Sequence, residues 1–304
     1  MTIVAALRVS PEMGIACADE RTTYTSAGRE RSYDFSRKLD SFGDYVIVGA
    51  SGATVMSDEL IRRVKPAVKP EMTIGDITKI LRDASIQRKD EILETDVYRY
   101  FGITPEQLNQ ANSNLDPSLL REAKIRFERI MDNNSCGFIV SGYDTVARCF
   151  KIYWAPTFIE PRDMTELKYD TAGSGSDLAD ASIADSLQRM KPDERDNIGL
   201  ARGCRMLMGA VRASWHNAGV GGRTQVIWTG KDKPKTELGY KESDTLQNLL
   251  FLETKGVVGR DFVDGVFRDV MEQEARYADV RKRLIRAIPK EVLTDTFFVE
   301  GLHT

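Results

Sequence analysis

A chain of 304 residues can bury a substantial core, as one large domain or as one domain with an appendage. Its 41% hydrophobic and 29% charged residues, with 23 glycines and 10 prolines, are the balance of a folded soluble protein and exclude a disordered or fibrous one. The 43 basic and 46 acidic residues leave a net charge of -3, which argues against nucleic acid as the main partner, since that would ask for a basic face.

In chain order, residues 2–9 and 14–18 read as short strands rich in Ile, Val, Leu and Ala, joined by the hairpin-like S-P-E-M-G. Residues 45–49 (YVIVG) form a third such run. From 51 to 64 the pattern turns helical, with Thr54, Asp58 and Arg62 on one side and Met56, Leu60, Ile61 and Val64 on the other. Residues 73–88 repeat it through Ile74, Ile77, Leu81 and Ala84. The stretch 89–131, punctuated by Pro105 and Pro117 and closed by the amphipathic REAKIRFERIM, reads as an inserted helical excursion.

Strands return at 136–141, 146–154 and 167–171, followed by helices at 177–187 and 193–216. The glycine-rich connection 219–222 leads to a strand at 223–229 (RTQVIWT). This order of strands, helices, strands, helices and a last strand lacks the steady alternation of a doubly wound fold. It predicts an α+β domain over 2–230, with two sheets packed face to face and helices outside. Beyond it, K-D-K-P-K reads as a linker to a helical extension over 231–304, with helices at 243–254 and 261–287.

No apolar run approaches the ~18 residues of a spanning helix, and Arg8 and Glu12 close behind a short apolar start do not fit a signal peptide. These features predict a cytoplasmic protein without a membrane partner. Cys17, Cys136, Cys149 and Cys204 form no C-x-x-C pair, and His216 and His303 are the only histidines, so neither a zinc site nor a disulfide framework is expected. No G-x-S-x-G elbow accompanies His216, and no nucleotide-binding loop occurs; no cofactor is called for.

Nucleophilic chemistry here needs a base other than histidine. Thr2 is a small second residue that permits removal of Met1. Its hydroxyl would then share a residue with an α-amine of reference pKa about 7.7–8.0, which can act as base directly or through one water. A nearby lysine ammonium favours the neutral amine, a buried carboxylate holds that lysine, and a backbone N–H awaits the oxyanion. Asp19, which ends the second strand in ACADERTT, Lys38 in SRKLDSF and Gly52 in VGASGAT, at a strand-to-helix junction, supply these types.

With these residues in place, the chain resembles the catalytic β-type subunits of the proteasome superfamily, including ATPase-coupled bacterial ring relatives and ancestral bacterial proteasome-like proteins. M-T-I-V is similar to the family's mature start, with Thr2 in the nucleophile's place, and A-C-A-D-E-R-T-T to its A-A-D-x-R-x-T, which maps the aspartate to Asp19 and the nearby arginine to Arg21. Lys38 falls on the family lysine, and the 14 positions from it to Gly52 equal the family's interval to its oxyanion-hole glycine. A-G-S-G-S at 172–176 places Ser174 on the serine that helps hold the threonine amine.

The resemblance implies a four-layer αββα sandwich of the N-terminal nucleophile (Ntn) hydrolase type and a threonine-type peptidase acting on peptide or protein, with side-chain pockets around Ala50 and Thr54. It also implies a homo-oligomer of the ring-forming kind, with any ATPase a separate chain. Two positions depart from the pattern: W-H-N-A-G-V-G-G puts neutral Asn217 where the family has an aspartate and Val220 where it has a serine. Between Asp19 and Lys38 the chain is also longer than the common pattern. Two other outcomes stand beside hydrolysis: an amidase or transpeptidase of the same fold, and an inactive assembly subunit in which Asp19 and Lys38 are a structural ion pair. Ser174 also has a simpler role open to it, capping the following helix.

Overall fold

The computed structural model describes residues 2–26, 29–33, 36–109, 115–216, 220–273, 275, 277–288 and 292, with backbone alone for 22–26 and 29–33. The chain opens with β1 (Val4–Ser10) and β2 (Met13–Asp19), continues through a separate hairpin of β3 (Thr22–Ser26) and β4 (Arg29–Tyr33), and enters β5 (Leu39–Phe42) and β6 (Val46–Gly52). Helices α1 (Thr54–Val64) and α2 (Ile74–Leu93) follow, then a wide π-type turn at Glu94–Arg99, α3 (Pro105–Asn109) and α4 (Pro117–Asn133). Strands β7 (Cys136–Asp144), β8 (Cys149–Pro156), β9 (Arg162–Asp163) and β10 (Tyr169–Ala172) precede α5 (Ser176–Gln188), α6 (Pro192–Asp196) and α7 (Leu200–Ala213). Last come β11 (Thr224–Gly230), β12 (Lys233–Glu237), α8 (Tyr240–Thr254), α9 (Arg260–Met271) and α10 (Tyr277–Ala287).

The fold is mixed α+β with two antiparallel five-stranded sheets, ordered β10-β1-β2-β11-β12 and β5-β6-β7-β8-β9. The alternation of strand side chains explains the near-continuous apolar runs, because both faces of the central strands are covered. On β1, Ala5, Leu7 and Val9 join a cluster with α5, α7, α8 and α9, while Val4 and Ala6 meet Ile47, Ile139 and Ile152 of the other sheet. The far face of that second sheet, with Val48, Phe138 and Val140, packs on Leu60, Ile61, Ile77 and Leu81 of α1 and α2. Helix α2 starts from a reciprocal cap in which Thr73 and Asp76 bond each other's backbone.

The described residues of the excursion 89–131 include the end of α2, the π-type turn, α3 and most of α4, and a small apolar cluster of its own gathers from Leu93, Val97, Ile103, Leu108 and Ala123. Val263, Val266 and Phe267 of α9 and Val280 and Leu284 of α10 complete the same cluster as Leu7 and Ile15. Among the described residues no helix is long and apolar enough to cross a membrane.

Several elements differ from the sequence reading. The expected linker after Lys231 contains β12, whose five residues are all exposed; it pairs with β11 through backbone groups, so no apolar alternation marks it. The helix expected over 193–216 breaks where Ile198 drops into the core and donates its N–H to Val9 O at 2.8 Å, with Gly199 at φ +81 restarting the chain. The single helix expected over 261–287 is two, α9 ending as the N–H groups of Gln273 and Ala275 reach back to the carbonyls of Arg268 and Asp269. The hairpin β3–β4 and strand β5 were not anticipated, since neither carries an apolar run.

Phe267 is 1% exposed in the cluster shared by the first strands and the last helices. Phe267→Ala is expected to lower stability by about 3–5 kcal/mol, with the sheet and the terminal helices unfolding in one denaturant transition followed by circular dichroism.

Candidate active site

The antiparallel pairing of β1 with β2 sets Val4 opposite Ala18, and the ladder runs on as Asp19 N–H donates to Ile3 O at 3.1 Å. The end of β2 therefore lies beside Thr2, as the sequence reading required. Asp19 is fully buried and Thr2 is 6% exposed. One carboxylate oxygen of Asp19, Oδ1, accepts from the Ile3 N–H at 2.7 Å, the Thr2 hydroxyl at 3.3 Å and the Lys38 ammonium at 2.8 Å. Its Oδ2 accepts from the Gly221 N–H at 3.2 Å.

The Lys38 ammonium also donates to the Arg21 carbonyl, so it is held from two sides with its side chain 9% exposed. Burial pushes its pKa below the ordinary 10.5, an effect that the Asp19 carboxylate opposes without cancelling. Hydroxyl and ammonium thus hydrogen-bond the same buried oxygen, which makes them neighbours without an intervening histidine.

Ser174 sits on the turn after β10. Its Oγ accepts from the Thr2 nitrogen at 3.1 Å, a peptide nitrogen while Met1 is attached and the α-amine once Met1 is removed. The adjoining Gly175 N–H donates to Thr2 O at 3.2 Å. Helix α5 is capped by Gly175 without a side-chain bond, so Ser174 is not its cap. Gly173 has φ +112, and a Cβ there would lie 2.2 Å from Thr2 O; only glycine lets the turn close over Thr2. Gly52 has φ +96 at the end of β6, where a Cβ would meet Ser135 O at 2.6 Å.

Thr2, Lys38, Gly52 and Ser174 line one cavity of about 820 Å³, with Ala50 and Thr54 also on its wall. Asp58 and Arg62 continue the Thr54 face of α1 along it, while Met56, Leu60 and Val64 point into the core. Asp19 does not line the cavity, nor does Arg21, which donates its N–H to Gly221 O at 3.1 Å and whose guanidinium occupies the space a Cβ on Gly221 would need. Asn217 lies outside the described residues. Val220 is 2% exposed and packs in the apolar cluster under the first sheet. His216 is exposed and does not line the cavity.

Two supporting residues were not picked out from sequence. Gly221 acts through its backbone N–H, and its only signal was the glycine-rich connection. Ser214, fully buried at the end of α7, donates to Gly175 O at 2.9 Å and so braces the turn that carries Ser174. Cys136 lines the cavity too, with burial pushing its thiol up to about 12, which keeps it a thiol at neutral pH. Among the described residues, no group of three or more His, Cys, Asp or Glu side chains is placed to hold a metal ion.

Removing the Asp19 carboxylate leaves Lys38 uncompensated and strips the acceptor from the Ile3 and Gly221 N–H groups. Asp19→Ala is expected to cost about 3–5 kcal/mol, read as a lower midpoint in urea unfolding.

Compared with known proteins, the chain matches no family model, and no curated protein shows a significant sequence match to it.

Proposed function

We propose that the protein is a threonine-type amide hydrolase of the Ntn class, acting on peptide bonds, with the two sheets and their flanking helices forming a four-layer αββα sandwich. The observation that carries this reading is the sharing of Asp19 Oδ1 by the Thr2 hydroxyl and the Lys38 ammonium at the wall of an 820 Å³ cavity. Such a cavity is large enough to receive several residues of an extended chain.

Removal of Met1 frees the Thr2 amine, which takes the proton of the Thr2 hydroxyl, directly or through a water. The oxygen attacks the carbonyl carbon of the bound amide, and the oxyanion accepts a hydrogen bond from the Gly52 amide while the Lys38 charge stabilises it. The C–N bond then breaks as the Thr2 ammonium returns a proton to the leaving amine. Water, deprotonated by the freed amine, releases the acyl group from the Thr2 ester. Lys38 keeps the terminal amine neutral by repulsion, and Ser174 orients it.

Val220 favours a second reading, an inactive assembly subunit, because it offers no hydroxyl to the terminal amine. Intact mass separates the two. The enzyme is expected to lack Met1 and to gain one adduct on Thr2 from a peptide carrying a terminal electrophile, with Thr2→Ala gaining none. Retained Met1 in active protein, or turnover unchanged by Thr2→Ala, overturns the mechanism.

The pH profile follows from the two cationic groups. Activity rises with pH as the Thr2 ammonium deprotonates and becomes able to act as base. Activity falls again as Lys38 loses its proton, at a pH below 10.5 because burial lowers that group. A bell-shaped kcat/KM profile is expected, and Lys38→Met should lose activity by about 100-fold or more.

A further inference from the structure

Among the described residues β5 is an edge strand: β6 covers one of its sides, with Leu39 opposite Gly49, and no described strand of the same sheet covers the other. Gln225 reaches that open side from β11 of the other sheet. Its Oε1 accepts from the N–H groups of Lys38 at 3.2 Å and Leu39 at 2.9 Å, and its Nε2 donates to Leu39 O at 3.2 Å. One carboxamide thus pairs with Leu39 in both directions, as a neighbouring strand would. Two N–H donors converging on one end require the oxygen there, which settles the orientation of the amide.

The other end of that amide is fixed as well. Gln225 Nε2 donates to Glu237 Oε1 at 3.2 Å, on the edge strand β12. Arg37 closes the ring, with Nε on Leu39 O at 2.9 Å and Nη2 on Glu237 Oε2 at 2.7 Å. On the opposite side, Ala50 N–H donates to Lys38 O at 3.0 Å. The backbone of Lys38 is therefore gripped at its N–H by one sheet and at its carbonyl by the other, which leaves only side-chain torsions to place the ammonium. Gln225 is 6% exposed and carries no charge, so its hydrogen bonds add little field of their own at the cavity.

We propose that Gln225, held by Glu237, is the positioning residue that sets Lys38 against Asp19 and Thr2. Its catalytic consequence rests on the function proposed above; its effect on Lys38 does not. The grip acts across the two sheets, so any change in their spacing at this end is transmitted to the lysine.

The test compares the full-length wild-type chain with Gln225→Met, which keeps volume and loses the amide, and with Glu237→Ala on the exposed edge, which keeps the core intact. Nitrogen-15 NMR of the lysine ammonium groups, with the Lys38 signal assigned by its loss in Lys38→Arg, reads the position of Lys38 without any turnover. In the wild type this signal is expected to be slow-exchanging. It should broaden or vanish in Gln225→Met and weaken in Glu237→Ala, with the other lysines unchanged. Against a fluorogenic peptide, kcat/KM should fall about 10- to 100-fold in Gln225→Met, mainly in kcat, and the alkaline limb of the profile should move. A folded Gln225→Met whose Lys38 signal and alkaline limb match the wild type overturns the proposal; should that variant not fold, the same result in Glu237→Ala does so. Absence of any Thr2 adduct in the wild type overturns the hydrolase reading alone, and the ammonium signal still decides the role of Gln225.

Discussion

A fully buried carboxylate has to be satisfied from every side, and Asp19 collects four donors from three separate parts of the chain: the neighbours Thr2 and Ile3, Lys38, and Gly221. Stripping water from an ion costs several kcal/mol, so the arrangement persists only because a cation and backbone N–H groups replace that water. The demand runs in both directions. Lys38 would itself be an unfavourable charge at 9% exposure without the oxygen it bonds. Strand register then becomes a chemical variable. A slip of one residue between β1 and β2, or between β2 and β11, would turn Asp19 out of this meeting point and reverse every core side chain with it.

The site stands where a dry region meets a wet one. Between the sheets, Val4, Ala6, Ala16 and Ala18 of the first meet the larger Leu39, Ile47, Ile139, Phe150 and Ile152 of the second in one dry layer. Above it, the cavity wall mixes polar and apolar groups, with charged side chains along one face of α1. Rigidity comes from the lower layer and access from the upper one. The glycines at 52 and 173 lie at the boundary, where the backbone must bend back without a side chain.

Legibility from sequence followed how strongly each element depends on side chains. The strands 2–9, 14–18 and 45–49 were readable because both faces are apolar, and α1 because its two faces differ in kind. Strand β12 was read as a linker because its pairing with β11 uses backbone groups and its five residues are all exposed, which leaves no apolar pattern. The same division runs through the site. Thr2, Asp19, Lys38, Gly52 and Ser174 were found through residue type and spacing, which a motif records. Gly221, Ser214 and Gln225 act through a backbone N–H, a hydroxyl brace and a carboxamide posing as a strand, each meaningful only once distant segments are adjacent. The break at 197–199 was hidden for a similar reason, since Ile198 leaves the helix to fill a core position that helical periodicity cannot announce.

The cluster joining Leu7 and Ile15 to Phe267 and Leu284 sets an order of events during synthesis. Ribosomes deliver the first strands early, and domains condense as their segments emerge. The apolar underside of β1 and β2 has to wait for α9 and α10, more than 200 residues later, and Asp19 waits for Gly221, 202 residues after it. A nascent chain thus carries Thr2 well before it carries Gly221, the last of the donors to Asp19. On the hydrolase reading proposed above, translation itself delays the competence of that threonine until the segments around Gly221 and α9 have left the exit tunnel.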